Sequence, residues 1–222
     1  AYFNRGCLND LGRKLEDAFN DLKSGLSILP DDAIGHNQLG VVLEDMGKTN
    51  EAMSEYQKAC DLDVSGETAA IAGTNIGVAK MVEGNWPEAR KQLKKIADSD
   101  MPGKDYASVW LYLAIKKSGD RDAEAVLGEL YPKKDLWAEW PKQALDLFLD
   151  RIGPDEYLAS AWKQNPEKRE MQRLESLFYL GEYHLLSGRN DQAKDCFKKC
   201  LESKIPDLNE CRFAKIELDK LK

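Results

Sequence analysis

Two cysteines, Cys196 and Cys200, stand four residues apart in the stretch Asp195-Cys196-Phe197-Lys198-Lys199-Cys200-Leu201. On a helix that spacing puts both sulfurs on one face, which is how a helix offers a pair of metal or redox ligands. A metal needs further ligands, and the chain has only two histidines, His36 and His184. Neither His-Glu-x-x-His nor Gly-x-Ser-x-Gly, phosphate-loop or dinucleotide fingerprints occur in the sequence. Acidic pairs such as Asp31-Asp32 and Glu44-Asp45 read as turn and surface carboxylates. The expectation is no catalytic residue, no metal and no cofactor, with the cysteines as small packing residues and Cys211 as the nearest further sulfur.

Composition narrows the class. Of 222 residues, 42% are hydrophobic and 32% charged, enough for a sizeable core. A net charge of -7 argues against nucleic acid, because the lysine pairs are scattered among carboxylates rather than gathered on one face. No run of apolar residues is long enough to cross a membrane as a helix. Five cysteines, an odd number at irregular spacing, do not make a disulfide framework. The opening Ala1-Tyr2-Phe3-Asn4-Arg5 reads as the middle of a helix, which leaves room for an address segment ahead of it.

The elements that position these residues repeat. Shifting the chain by 34 residues lays Gly6 on Gly40, Ala18 on Ala52, Leu22 on Tyr56 and Gly25 on Ala59. A third unit repeats the order with Gly77, Gly84, Ala89 and Leu93, and a fourth with Gly181, Gly188, Ala193 and Phe197. Gly47, Gly84 and Gly188 each follow a helical stretch, where a left-handed residue ends a helix. Asn85 then offers an N-cap, with Pro87 in the first turn of the next helix.

This order of small and large residues resembles the tetratricopeptide repeat, in which two antiparallel helices approach closely at glycine and alanine. The resemblance implies an all-α solenoid of helical hairpins, a right-handed superhelix forming a single domain over 1–222. Residues 1–101 read as three units, 102–170 as divergent helical hairpins, 171–206 as a further unit and 207–222 as a capping helix. Both histidines fall at bulky packing positions of this register, so they read as core residues.

In the repeat register the first helix of each hairpin lines a groove for partner proteins. Its expected lining is Phe3 and Cys7, then Asn37, Val41, Glu44 and Asp45, then Thr74, Val78 and Met81, and finally Phe178 and Glu182. That lining is mixed apolar and acidic. It lacks the cations with which chaperone-tail-binding repeats hold a terminal carboxylate. Trp110, Trp137, Trp140 and Trp162 fall in the divergent middle, where they read as packing residues. The competing reading makes Trp137 and Trp140 partner anchors.

A closer resemblance covers nearly the whole chain. The segments VWLYLA (109–114), DLWAEWPKQALDLFLDRI, LFYLGEYHLLSGRNDQAKDCFKKCLES and CRFAKIELDKL resemble the NlpI-type outer-membrane lipoproteins. That family implies a non-catalytic, dimeric adaptor at the periplasmic face of the outer membrane, held by a lipidated cysteine ahead of this stretch. It also implies peptidoglycan hydrolases and a tail-specific protease as partners. The alternative is a cytoplasmic assembly or regulatory scaffold without a carboxylate clamp.

Overall fold

Turn chemistry written into the sequence cuts the chain into helices. The computed structural model describes residues 15–63, 66–120, 122–130, 140–162, 169–202 and 209–222, and among these all regular structure is helical. Packing divides the chain into two compact units, residues 1–120 and 121–222.

The first unit holds α1 (Leu15–Ile28), α2 (Ala33–Asp45), α3 (Thr49–Leu62), α4 (Glu67–Val82), α5 (Trp86–Ala97) and α6 (Lys104–Lys117). Asp32 starts α2 by accepting from the amides of Ile34 at 3.0 Å and Gly35 at 3.2 Å. Asn85 starts α5 by accepting from the Glu88 amide, with Pro87 in the first turn where its missing N–H costs nothing. The stops are equally local. Gly47 takes φ +76°, its amide donates to Glu44 O at 2.9 Å, and the next amide, of Lys48, donates to Leu43 O at 2.8 Å. This Schellman pairing satisfies carbonyls that the helix leaves open. It recurs at Gly84, Gly119 and Gly188, so α6 ends as the regular first helices do.

Hairpin packing follows the small–large order of the repeat. A methyl group on Gly40 would lie 2.5 Å from the Tyr56 ring, and one on Gly77 would lie 2.5 Å from Leu93 Cγ. Ala52, Ala89, Tyr56 and Leu93 are all buried. Glycine is required here because the facing helix occupies the space of a side chain. The core cluster of the first hairpins runs from Ala18, Leu22 and Leu26 through Leu39, Val42 and Leu43 to Tyr56, Ala59 and Ile76.

Helix α6 departs from the repeat register for a visible reason. Every residue from Ala107 to Ile115 is buried, Trp110 among them, and α6 packs on both α5 and α4. A helix covered on all sides carries no amphipathic stripe. Its packing also groups it with the preceding hairpins. The change in packing therefore falls after residue 120, whereas the sequence pattern changes after residue 101.

The second unit holds α7 (Ala123–Leu130), α8 (Gln143–Phe148), α9 (Pro154–Trp162), α10 (Arg169–Leu186), α11 (Asn190–Leu201) and α12 (Asn209–Lys220). Helix α8 is shorter than the apolar run DLWAEWPKQALDLFLDRI suggests. Pro141 has no N–H and restricts Trp140, so the helix begins only after a turn at 140–142. The α10–α11 hairpin repeats the close approach, with a methyl on Gly181 2.5 Å from the Phe197 ring. Phe178 joins Phe197 and Phe213 with ring centroids 6.2 and 6.4 Å away, which seats α12 on the hairpin. The face that α12 buries is mixed apolar and acidic. Cys211 and Phe213 are buried, but Ile216, Leu218 and Leu221 are only half-covered, while Glu210 and Glu217 are buried. Tyr179 Oη donates to Glu210 at 2.7 Å and Lys220 pairs with Glu217 at 3.0 Å, which offsets the cost of burying the acids.

Candidate protein-binding face

The first helices of unit 1, α2 and α4, lie side by side, and Asn75 Nδ2 donates to Asn37 Oδ1 at 3.1 Å between them. Asn37 is thus engaged inside the protein. Glu44 is too, since it accepts from Tyr56 Oη at 2.7 Å. Asn37, Val41, Glu44 and Asp45 are half-buried. Val78 and Met81 are buried, as is Thr74, whose hydroxyl donates to Ala70 O at 2.7 Å. In unit 2, Phe178 and Glu182 are fully buried. These five side chains position the face from beneath and do not present surface, because α4 and α10 are covered more widely than a two-helix hairpin alone would cover them. Phe3, Cys7 and Trp137 lie outside the described residues.

What the face does expose was missed by the sequence reading. Ile34 is 57% exposed, Ile71 43% and Val82 50%. Ile34 and Ile71 each stand six residues before the hairpin glycine of their unit, Gly40 and Gly77. Val82 stands five after Gly77, the offset that Asp45 has from Gly40. Leu186 holds the same offset from Gly181 and is 36% exposed in unit 2. The shared offset was a usable signal, but no local pattern says which positions a neighbour leaves uncovered.

Trp140 behaves as a packing residue. Its ring stacks on Tyr157 at 5.9 Å, lies 6.3 Å from Tyr179, and its Nε1 donates to Glu175.

His36, Cys196 and Cys200 are each engaged inside the fold. His36 Nδ1 lies 2.6 Å from Glu55 and Nε2 lies 2.8 Å from Pro30 O, so both ring nitrogens are occupied. Burial pushes the Glu55 carboxyl up, but the hydrogen bonds from Lys58 and His36 outweigh it and hold the group below the usual range. Burial, and then Asp195, push the Cys196 thiol up to about 11. Cys200 is raised by its hydrogen bond with Cys211 and then by burial. Raised thiols stay protonated at neutral pH and make poor nucleophiles and ligands. Among the described residues no cluster of three His, Cys, Asp or Glu side chains could hold a metal.

A family model described as Tetratricopeptide repeat matches residues 35–63 and 174–204, the α2–α3 and α10–α11 hairpins. The chain carries tetratricopeptide repeats. Solved tetratricopeptide structures agree at the level of fold. A tetratricopeptide repeat protein from Parabacteroides merdae is similar over 99% of this chain and 82% of its own, at 17% identity and a TM-score of 0.51. The pilF protein of Pseudomonas aeruginosa covers 97% of this chain and 96% of its own, at 18% identity and a TM-score of 0.52. PilW, a type IV pilus biogenesis factor, covers 96% of each chain at 14% identity and a TM-score of 0.50. Identities this low establish shared architecture. Tetratricopeptide hairpins leave one face to the solvent and serve as scaffolds for protein–protein interaction.

Proposed function

We propose that this chain is a non-catalytic scaffold that binds partner polypeptides on the first-helix face of unit 1. The observation that carries the reading is the exposure of Ile34, Ile71 and Val82 on helices whose other apolar residues are covered. Large apolar side chains left in the open at repeated positions are the anchors a partner would cover.

The sharper form of the proposal is an adaptor of the NlpI type. It would be lipid-anchored through residues ahead of this stretch, dimeric, and able to hold a peptidoglycan hydrolase beside a tail-specific protease. Its support is the resemblance of the segments quoted above. Two partners on one scaffold meet at raised effective concentration, so no catalytic group is needed. Affinity capture from cell-envelope extract tests this. Wild-type protein should recover a cell-wall hydrolase or protease, and Ile34→Asp/Ile71→Asp should lose it at least about tenfold. Recovery of soluble assembly factors alone would overturn the envelope reading and favour the second one, a cytoplasmic scaffold.

A further inference from the structure

Unit 2 contains a cleft that the first-helix face does not use. Its floor is Leu158 of α9, Leu177 and Leu180 of α10, and Cys196 of α11, and its volume is about 480 Å³. The origin of the cleft lies in the repeat register. Leu177, Leu180 and His184 have the same offsets from Gly181 that His36, Leu39 and Leu43 have from Gly40. In unit 1 all three of those residues are buried, with α1 packed over α2. In unit 2 the cover is α9, a nine-residue helix from Pro154 to Trp162. Beneath it Leu180 is buried, but Leu177 and His184 remain half-buried. His184 Nδ1 is buried there without a hydrogen-bond partner.

The rim is acidic. Asp191 and Asp195 lie one turn apart on α11, and Asp155 faces the cleft from α9. The single cation of the lining, Lys199, already pairs with Asp195 at 2.6 Å. Asp155 and Asp191 make no ion pair among the described residues. Unpaired carboxylates around an apolar floor attract cations and repel anions.

We infer that this cleft docks an amphipathic helix of a partner protein, with apolar side chains on the Leu158–Leu177–Leu180 floor and Lys or Arg against Asp155 and Asp191. A basic amphipathic helix is the fitting occupant because it sets apolar side chains on one face and cations beside them within reach of the two carboxylates. A second copy of this chain is disfavoured, since it carries a net charge of -7 itself. The inference does not depend on the first-helix face.

The test uses the full chain and a fluorescent peptide of about 18 residues, with leucine at helical i, i+3, i+4 spacing and lysine elsewhere. A peptide with glutamate in place of lysine is the comparison. By fluorescence anisotropy at near-physiological salt, the lysine peptide should bind saturably and the glutamate peptide should not. Asp155→Asn/Asp191→Asn should weaken binding about tenfold. Leu158→Glu should weaken it further, and Glu51→Gln/Glu67→Gln in unit 1 should change it less than about twofold. Equal weakening by the unit 1 variant would mean general charge attraction and overturn the assignment, as would lack of saturation up to about 1 mM. Dimerisation of the chain that Asp155→Asn/Asp191→Asn abolishes would give the cleft to a second copy and also overturn it. None of these failures touches the unit 1 reading, which is tested through Ile34 and Ile71.

Discussion

Gly181 meets Phe197 across the α10–α11 hairpin so closely that a methyl group on the glycine would lie 2.5 Å from Cε1 of the ring. The relation is the physical content of the repeat: Gly40 with Tyr56 and Gly77 with Leu93 repeat it, each pair separated by the same 16 residues. Alanine is the better helix former by about 1 kcal/mol, but overpacking costs about 1–3 kcal/mol. Gly181→Ala should therefore destabilise in urea unfolding by up to about 2 kcal/mol. Gly128 is exposed in α7 with nothing within 4 Å of a methyl, so Gly128→Ala should stabilise by about 0.5–1 kcal/mol. The opposite signs separate packing from propensity.

Tyr179 ties the last helix down. Its hydroxyl donates to the buried carboxylate of Glu210 on α12 at 2.7 Å. Tyr179→Phe should cost about 1.5–3 kcal/mol, the range for a hydrogen bond to a charged group. Hydrogen exchange should show the amides of α12 opening sooner, while those of α2 and α3 keep their protection.

His184 gives a pH signature. Burial, and then the charge of Arg189, hold its pKa below the ordinary histidine value near 6.5. The unfolded chain therefore takes up a proton at higher pH than the folded one. This contribution to stability is fully present above about 6.5 and is lost as pH falls from there toward the lower folded value. Proton NMR should place the His184 midpoint below 6.5. His184→Phe, which fills the same bulky position, should flatten that part of the stability–pH curve.

The cysteine pair should prove structural. With the Cys196 thiol at about 11, only about 0.1% is thiolate at pH 8, so iodoacetamide should react far more slowly with the folded protein than with the unfolded chain. Cys196→Ala/Cys200→Ala should cost about 1–2 kcal/mol by loss of buried volume. Partner capture through Ile34 and Ile71 should be unchanged.

Helix stops, caps and hairpin pairs were legible in the sequence because each is set within a short span. Gly47, Gly84 and Gly188 end helices through amides and carbonyls five residues away or fewer. The glycine–aromatic pairs need only one hairpin. The same register placed the histidines and Cys200 in the core; His36 and Cys200 are buried, whereas His184 is only half-buried. The candidate face was legible only as a register. Phe178 and Met81 sit on the expected helices, yet they are covered, while Ile34 and Ile71 on the same helices are open.

By itself the sequence determined the all-helical hairpin repeat, since 3.6-residue periodicity, left-handed glycines and small–large pairing are local properties of the chain. Only the tertiary structure decided which side chains reach the solvent. Exposure depends on where a neighbouring helix starts and how much of a face it covers. Under α9, Leu177 and His184 stay half-buried, whereas under α1 their counterparts, His36 and Leu43, are buried.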